Sequence, residues 1–522
     1  MKTPNENTRI ARASLLPLLW LLLVPLMAGC SASLPPVDHG PDRMTPVTDS
    51  TALSELSDQQ LGADSGQPGF LMLDSGRDAL LARAALIEMA DERLDAQYYI
   101  WDDDHSGRYL ASRLVAAANR GVQVRLLLDD INVSGKESLF SVLDAHPRIN
   151  VRIFNPAKSR DGVGRWLSYI TEFDRINRRM HNKTFVVDGA FGITGGRNIG
   201  DGYFDEHPAI NFRDRDMLVL GSLVSDMTGN FEAYWHSRWS YPLEQLYPQP
   251  KTPETARAEL VQAHRQASGL RASPPLDRAS ARALLEKSLA GLVRAPGRLV
   301  FDPPPEDPEA PADNVSATAR ALFEVVESAE SEVLIESAYL ILADDQLMKL
   351  DTIGSPDVKV AALTNSLATN DLVTNHSGYV RWRREMLEHG MELYELRPDA
   401  PACQRWVENA PACSNGAVSL HSKAVVVDSE TLFVGSFNVN QRSMYLNGET
   451  VLIIQSPELA SAVARDLRRA MKPENSWQVT IDEGGDLKWN GGDQVSSHEP
   501  ETGFWRRAMA RVLSWLPIEK YL

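Results

Sequence analysis

The sequence predicts an α/β protein made of two similar units. A His-x-Lys pair, followed after four residues by Asp, occurs twice, and the two His are separated by 421 − 181 = 240 positions. Helix and strand patterns alternate around both copies, which is typical of α/β units. A register without a net gap over about a hundred residues indicates two copies of one structural unit. The motif residues are His181, Lys183 and Asp188 in the first copy and His421, Lys423 and Asp428 in the second.

The elements of each unit follow from the periodicity of their apolar residues. Because strands and helices alternate, the sheet of each unit is predicted to be largely parallel. The first unit, 69–240 with its motif at 175–202, is predicted to contain helices at 79–94, 106–119 and 229–239 and strands at 94–101, 122–129, 151–154 and 212–221. The second unit, 315–480 with its motif at 415–442, is predicted to contain helices at 317–328, 345–354 and 375–387 and strands at 333–340, 358–364 and 391–396.

Each motif is predicted to form a buried β-strand. The run 184–187 is β-branched and aromatic, a composition typical of strands. Residues two apart on a strand share a face, so His181 and Lys183 should point the same way. Asp188 begins a turn with the glycine that follows it. This gives Asp188 and Asp428 a structural place at the strand ends, although both belong to the motif.

Two facing copies of the motif bring two imidazoles and two ammonium groups to one cavity. This set suits a phosphodiester substrate: one His attacks phosphorus, the other protonates the leaving oxygen, and the cations hold the non-bridging oxygens. The lysines supply the neutralising charge, so neither a metal nor another cofactor is predicted. Further donors to the phosphoryl oxygens are expected from Gly196, Asn198, Ser436 and Asn438.

In these residues the chain resembles the phospholipase D superfamily, whose signature is H-x-K-x4-D followed by G-x-x-N. Residues 178–184 and 195–204 look more closely like the cardiolipin synthase C branch. The resemblance implies two α/β sandwich units with pseudo-two-fold symmetry and an active site at their interface. It also implies transfer of a phosphatidyl group through a phosphohistidine, with His181 as the nucleophile and His421 as the acid and base. The residues by themselves do not distinguish the two His.

The resemblance further implies an acidic residue after each motif that orients the His of the other copy. Glu449 fits this position for the first His, and Asp214 fits it for the second. Asp216 is the alternative to Asp214, and a surface salt bridge with a neighbouring arginine is the alternative role. The chain departs from its relatives at Asn440-Gln441, where Asp-Pro is common, which leaves the geometry of that loop open.

Residues 1–29 are predicted to be a secretory signal. The apolar run at 15–27 follows a positive segment and is shorter than the about 20 residues that a spanning helix needs. Its end resembles a bacterial lipobox, which would make Cys30 the first mature residue and the carrier of acyl chains. An ordinary signal with a chance Cys is the alternative. The expected place is the periplasmic face of a bacterial membrane; Ser31 favours the outer membrane, and the inner membrane is the alternative.

Three further segments are predicted outside the units. Residues 30–68, rich in Ser, Pro, Asp and Gly, are expected to form a flexible tether. Residues 241–314 depart from the repeat and are expected to be a connector with helices at 255–268 and 277–294. The tail 481–522 is basic and aromatic near its end, which suits a membrane interface; a helix packed on the core with its arginines outside is the alternative.

Cys403 and Cys413 lie in a loop before the second motif. In an exported protein, two Cys with nine residues between them suggest a disulfide that closes a short loop. Two free thiols are the alternative, and two ligands are too few for a metal site by themselves.

Charge and composition limit the function classes. The net charge is −17, whereas a protein that grips nucleic acid is usually basic. The favoured function is the one that the resemblance implies, a phosphatidyltransferase that makes cardiolipin from phosphatidylglycerol and a second phospholipid, at a membrane. The alternatives are a phospholipase D that forms phosphatidic acid, a periplasmic nuclease, and an inactive, anchored lipid-binding protein. The intact His and Lys of both motifs argue against the inactive form. The sequence identifies no protein partner.

Overall fold

The computed structural model describes the chain from residue 34 onward with gaps. The described residues are 34–39, 48, 50–62, 66–160, 162–247, 254–255, 258, 262, 270–272, 274, 277–307, 314–343, 346–348, 357–407 and 418–522. The predicted signal, Cys30, Cys413 and most of the predicted helices at 255–268 and 345–354 lie outside them. The chain divides into a small unit of 1–36 with 157–173 and a large unit of 37–156 with 174–522.

The strands and helices are labelled here in chain order within the described residues. The strands are β1 (Gly69–Leu73), β2 (Arg93–Tyr98), β3 (Gln123–Asp129), β4 (Ile149–Phe154), β5 (Thr184–Val187), β6 (Phe191–Gly195), β7 (Asn211–Arg213), β8 (Asp216–Leu220), β9 (Ser240–Pro242), β10 (Val293–Arg294), β11 (Gly297–Phe301), β12 (Glu332–Ser337), β13 (Lys359–Asn365), β14 (Glu392–Leu396), β15 (Val418–Leu420), β16 (Lys423–Val427), β17 (Thr431–Gly435), β18 (Thr450–Gln455), β19 (Ser476–Ile481), β20 (Leu487–Gly491) and β21 (Gln494–Ser496).

The helices are α1 (Ala52–Leu61), α2 (Gly76–Met89), α3 (His105–Arg120), α4 (Glu137–Asp144), α5 (Gly162–Thr171), α6 (Phe173–Ile176), α7 (Leu223–Trp235), α8 (Leu243–Leu246), α9 (Arg278–Leu289), α10 (Ala317–Glu327), α11 (Val373–Glu388), α12 (Cys403–Trp406), α13 (Gln441–Tyr445), α14 (Pro457–Ala470) and α15 (Phe504–Leu513). Helix α5 belongs to the small unit, where Lys158 and Glu172 form an ion pair at 3.5 Å.

Two sheets of the same topology form the large unit. The first has the strand order β10-β1-β8-β6-β5-β2-β3-β4-β9, and the second has the order β11-β18-β17-β16-β12-β13-β14-β19-β20-β21. The inner order β8-β6-β5-β2-β3-β4 of the first matches β18-β17-β16-β12-β13-β14 of the second. The predicted fold class, two similar α/β units, is confirmed. We call the residues that build the first sheet, through Pro296, the first half and those from Gly297 onward the second half.

The prediction of largely parallel sheets is wrong, because only three neighbouring strands in each sheet are parallel. These are β2, β3 and β4 in the first and β12, β13 and β14 in the second; the other pairs are antiparallel. The motif strand β5 returns directly as β6 through Asp188 and Gly189, whose φ angles are 51° and 61°. Two residues with positive φ match a tight hairpin, which needs no crossover helix.

The inner faces of the two sheets share one hydrophobic core. Val186 and Met217 of the first half pack in the same buried cluster as Leu334 and Val426 of the second. Successive strand residues point to opposite faces, so the apolar motif strands also bury their other faces. The shared core brings the beginnings of β5 and β16, and with them the two motifs, to the boundary between the halves.

Residues 50–62 of the predicted tether are folded, which corrects that prediction. Helix α1 begins with a capping box at Thr51 and buries Leu53 and Leu56 completely. Arg294 donates a hydrogen bond to the carbonyl oxygen of Leu61 at 3.0 Å. The segment is rich in Ser and Asp, and its apolar spacing i, i+3 is too short a pattern to predict a helix against that composition. The same spacing stabilises the helix in the folded protein, because a hydrophobic core is present to bury the two leucines.

The connector and the tail also extend the sheets, contrary to their predicted separation from the two units. Strands β9 and β10 are edge strands of the first sheet, and β11 is an edge strand of the second. In the tail, β20 and β21 continue the second sheet beyond β19 and before helix α15. Edge strands form wherever a free row of backbone groups lies within reach, so distant segments of no obvious periodicity can join a sheet. In the described residues, no helix has both the length and the apolarity to cross a membrane.

Arg215 joins the halves through a buried ionic network, and its loss should destabilise the fold. Its guanidinium contacts Glu336 at 2.8 Å, Asp74 at 2.6 Å and Asp466 at 2.6 Å. Arg215→Met would leave the buried carboxylate of Glu336 without its cation. We expect the free energy of unfolding to fall by about 3–5 kcal/mol, measured by urea denaturation. The exposed Arg282, paired with Glu286, serves as the control; an equal loss for Arg282→Met would contradict the network's importance.

Candidate active site

Each motif His is held by the backbone of the opposite half. The N–H of His181 donates to the carbonyl oxygen of Gly448 at 2.8 Å, next to a bridge between Met180 and Gly448. The N–H of His421 donates to the carbonyl oxygen of Arg213 at 2.8 Å, at the end of the parallel pair β7–β15. The first His therefore lies before strand β5, which starts at residue 184, and not on the strand as predicted.

The two His are also paired with acids in a crossed arrangement. Nδ1 of His181 lies 2.8 Å from Oε2 of Glu449, and Nδ1 of His421 lies 2.5 Å from Oδ2 of Asp214. Both contacts predicted from the resemblance are present. The alternative, Asp216, instead binds Arg83 at 2.9 Å. The predicted strand at 212–221 is interrupted between β7 and β8, and this break turns the Asp214 side chain toward the opposite half.

Glu449 is fixed by three neutral donors of its own half, so its position does not depend on the His alone. Its carboxylate accepts hydrogen bonds from Ser436 at 2.5 Å, Ser443 at 2.7 Å and Asn447 at 3.1 Å. Ser443 and Asn447 were not predicted as site residues. Their only sequence signal is their position shortly before the acid. Asn440 caps helix α13 by accepting from the N–H of Ser443 at 2.9 Å, so the loop that departs from its relatives keeps a side-chain cap.

Gly196 and Ser436 occupy matching positions, and each contacts an acid of the protein; their contact with a substrate phosphate stays a prediction. A Cβ at Gly196 would overlap Oδ1 of Asp214, and its N–H already donates to the carbonyl oxygen of Arg215 at 3.1 Å. The single hydroxyl proton of Ser436 is used on Glu449. Each residue therefore serves the acid of its own half: glycine gives Asp214 room, and serine gives Glu449 a donor.

The remaining predicted donors lie at the site. Asn198 accepts from the N–H of Ile100 at 3.1 Å through Oδ1, while its buried Nδ2 has no hydrogen-bond partner in the described part of the chain. Asn438 is buried, and its amide oxygen likewise lacks a partner there. Buried polar groups are almost always satisfied, so the Nδ2–H of Asn198 is suited to an oxygen atom of a substrate. The amide oxygen of Asn438 is suited to a donor such as a hydroxyl.

Asp188 and Asp428 lie away from the two His. The carboxylate of Asp188 accepts from the N–H groups of residues 91, 92 and 93, and that of Asp428 from those of residues 330, 331 and 332. Five residues of extended chain separate Asp188 from Lys183, roughly 16 Å. These acids fix the starts of β2 and β12, which agrees with a place at the strand ends and not with a catalytic role.

The two lysines are buried and point to the centre of the site. Each Nζ donates to the main-chain carbonyl oxygen of the His two residues before it. Burial, partly offset by Glu449, lowers the pKa of Lys183 to about 7. Burial, partly offset by Asp214, lowers the pKa of Lys423 to about 8. An anion that enters the site would stabilise both charges.

The His and acid protonation states suit nucleophilic chemistry. Burial lowers the pKa of His181 to about 4, although Glu449 opposes this shift. Burial also lowers the pKa of His421, with a further contribution from Lys423. For Asp214 and Glu449 burial acts in the opposite direction, but the neighbouring His and Lys bring their pKa values below the ordinary range. When the Nδ1–H of a neutral His donates a hydrogen bond to a carboxylate, the lone pair of Nε2 is free to attack.

Aromatic rings fix the planes of both imidazoles. Tyr99 meets His181 edge-on with centroids 4.9 Å apart, and Tyr203 meets His421 in the same way at 5.2 Å. Neither was predicted as a site residue. Tyr99 could have been found, because it recurs as Tyr339 at the motif offset. No such repeat marks Tyr203.

Of the two cysteines that are predicted to pair, the structure describes Cys403. Cys403 is buried and disulfide-bonded; since Cys413 is not among the described residues, their pairing stays a prediction. Within the described ranges, no three His, Cys, Asp or Glu side chains are grouped so as to hold a metal ion.

The lowered lysine pKa values predict an alkaline limit to substrate capture. A lysine is charged only below its pKa, so kcat/KM should fall as the pH rises through about 7 to 8. In the pH profile of kcat, the alkaline fall should lie at higher pH than in the profile of kcat/KM, because the bound phosphate stabilises the ammonium groups. Both profiles can be measured with a short-chain phospholipid. A kcat/KM that stays flat across this range would contradict the buried charges.

Comparisons with known proteins agree on one family. A family model described as "Cardiolipin synthase, PLD-like domain" matches residues 84–235 and 322–471. The chain is 39% identical to cardiolipin synthase C of Escherichia coli (strain K12) over 465 residues, which is 87% of this chain and 96% of the relative. It is 24% identical to cardiolipin synthase of Geobacillus kaustophilus over 396 residues, 76% of this chain and 64% of the relative.

A solved structure has a similar fold. The phosphatidylserine synthase of Haemophilus influenzae Rd KW20 covers 90% of this chain and 99% of its own length, with a TM-score of 0.57 and 14% sequence identity. This likeness concerns the fold alone.

Proposed function

This chain belongs to the family of cardiolipin synthases with phospholipase D-like domains, and from that premise we propose that it makes cardiolipin from phosphatidylglycerol and a second phospholipid. It is an enzyme of the phospholipase D type, a phosphatidyltransferase. The observation that carries the proposal is the buried pair of His, each with a Lys of its own half and an acid of the other. Two equivalent imidazoles are what a two-step exchange at phosphorus requires.

In the first step, Nε2 of His181 attacks the phosphorus of the phosphatidyl donor. A P–N bond forms, the P–O bond to the head-group alcohol breaks, and His421 gives that alcohol its proton. In the second step, His421 takes the proton of a phosphatidylglycerol hydroxyl, and the resulting oxygen attacks phosphorus and displaces His181. Glu449 and Asp214 keep each Nδ1 proton in place, so that each Nε2 faces the substrate.

The lysines and amides hold the transferred phosphoryl group. Lys183 and Lys423 neutralise its non-bridging oxygens, and Asn198 and Asn438 contribute neutral contacts. The anionic phosphate also raises the pKa of His421, so the protonated form needed for the first step becomes accessible when the donor is bound.

A lipid anchor at the periplasmic face completes the proposal. Acylation of Cys30 would keep the protein at a membrane, the outer one favoured by Ser31 and the inner one the alternative. We expect the intact mass of the mature protein to include acyl chains, and Cys30→Ser to remove them. An unmodified Cys30 would contradict the anchor without affecting the chemistry.

The experiment that tests the function is lipid analysis by mass spectrometry. The mature protein is incubated with phosphatidylglycerol vesicles, with and without phosphatidylethanolamine. Cardiolipin that is absent with His181→Ala and with His421→Ala supports the proposal. Phosphatidic acid alone would indicate a hydrolase, and cleavage of added single-stranded DNA without lipid turnover would indicate a nuclease. No turnover of either substrate would indicate an inactive lipid-binding protein.

A further inference from the structure

Helix α15 leaves an apolar face uncovered. Ala510 is buried on its inner side, whereas Trp505 is 82% exposed and Trp515, just after the helix, is 74% exposed. Half of the exposed large apolar side chains of the described residues, six of twelve, lie between positions 504 and 516: Phe504, Trp505, Met509, Val512, Trp515 and Leu516. Such a concentration marks a surface that contacts something other than water.

The same helix forms one wall of a basic cavity of about 840 Å³. Helix α11 and strand β20 supply the other walls. The lining contains three acidic side chains but six cationic ones: Arg381, Arg383, Arg384, Lys488, Arg507 and Arg511. Four of these cations already contact carboxylates: Arg381 contacts Glu519, Arg383 contacts Glu395, Arg384 contacts Glu388 and Lys488 contacts Asp482. Within the described residues, Arg507 and Arg511 are the lining cations that remain for an anionic ligand.

The exposed apolar side chains of helix α15 and its arginines that line the cavity form two neighbouring strips on the surface of the helix. Arg507 and Arg511 lie one turn apart and point into the cavity. Phe504, Ala508 and Val512 form the adjacent row, and Trp505 and Met509 lie one row further from the cavity. Trp515 continues the arginine row and also lines the cavity. In a lipid leaflet the phosphate groups lie nearer the water than the acyl chains, and guanidinium groups beside exposed apolar side chains match this order.

We propose that this surface is a second lipid site, separate from the catalytic one, that binds an anionic phospholipid of the bilayer. The apolar face enters the leaflet, and the cavity receives the phosphate head group of one lipid. This proposal rests on the proposed function in one respect, that the substrate of the protein is a phospholipid. Binding at the second site does not require turnover.

The helix is also connected to the rim of the catalytic site. Arg506 donates to the carbonyl oxygens of Leu367 at 3.0 Å and Asn370 at 2.5 Å. The next residue, Asp371, accepts from the hydroxyl of Tyr339 at 2.8 Å; Tyr339 is the counterpart of Tyr99, which packs on His181. Binding of the helix to a membrane therefore brings the catalytic rim to the same lipid surface. Turnover of vesicles should depend on the helix, and turnover of a monomeric short-chain lipid should not.

The test is photo-crosslinking of the full chain on vesicles. Phosphatidylcholine vesicles with and without phosphatidylglycerol carry a tracer lipid with a photoreactive acyl chain, and labelled peptides are mapped by mass spectrometry. We expect label within 504–516 and more of it when phosphatidylglycerol is present. The same labelling with His181→Ala would establish the site even if no cardiolipin forms. Label that avoids 504–516 would overturn the proposal. Free glycerol phosphate that blocks labelling as effectively as unlabelled vesicle lipid would also overturn it, because the site would then bind a soluble phosphate and not a lipid.

Matched variants separate the two strips. Trp505→Ala should lower labelling and vesicle turnover by about tenfold or more, with short-chain turnover unchanged. Arg511→Gln should reduce the preference for phosphatidylglycerol by about fivefold. Two comparisons serve as controls. Met509→Ser is compared with Met348→Ser, whose side chain is 59% exposed against 50% for Met509, and Arg511→Gln is compared with Arg282→Gln. Equal effects within either pair would overturn the assignment of this surface.

Discussion

His421→Ala should accumulate a covalent phosphatidyl adduct on His181, whereas His181→Ala should form none. Both variants should lose about 10³-fold or more in cardiolipin formation, since each lacks one partner of the exchange. A phosphatidyl ester of p-nitrophenol makes the difference visible. Its leaving group needs no proton, so His421→Ala still forms the P–N bond and releases p-nitrophenol. The second step then stalls, because nothing deprotonates the acceptor alcohol.

Stopped-flow absorbance and intact mass measure this outcome. We expect one equivalent of p-nitrophenol from His421→Ala and a mass increase of one phosphatidyl group on the peptide that contains His181. His146→Ala, which removes a His bonded to Asn119, should behave as the parent protein. An adduct on His421 in the His181→Ala variant would reverse the assignment of the nucleophile, and no adduct in either would contradict the covalent mechanism.

Glu449→Gln and Asp214→Asn should each lower kcat by about 10² to 10⁴-fold, the range expected when an imidazole loses its orienting carboxylate. The effect should be larger for Glu449, because the hydroxyls of Ser436 and Ser443 donate into its carboxylate and would face an amide nitrogen in the variant. Loss of the negative charge should also lower the pKa of Lys183, since Glu449 raises it. The alkaline limb of kcat/KM should then move to lower pH.

Asp216→Asn is the matched control for these acids. Asp216 lies two residues from Asp214 but binds Arg83, so its loss should reduce stability without changing the pH profile. Kinetics across pH, with circular dichroism to verify folding, distinguish the two cases. A pH profile that is unchanged in Glu449→Gln would show that this carboxylate does not act on the charges of the site. A loss of kcat in Asp216→Asn equal to that in Asp214→Asn would favour a structural role for both acids.

The sequence by itself determined the repeated units and the four central side chains of the site. His181, Lys183, His421 and Lys423 were found because a constant offset is visible without any knowledge of contacts. Asp214 and Glu449 followed from the resemblance, and the structure places both against the opposite His. The parallel cores β2-β3-β4 and β12-β13-β14 also followed from local patterns of apolar residues.

Only the tertiary structure decided which polar groups serve the acids and which remain for a substrate. Gly196 and Ser436 were predicted to contact phosphate, and the structure shows that each also contacts the acid of its own half, Asp214 and Glu449. Helix α1 and the strands from the connector joined the core against their local composition, because a sheet edge or an apolar pocket can stabilise a segment with little periodicity of its own. A sequence pattern records what a residue can do; which partner it meets depends on groups that lie hundreds of positions away.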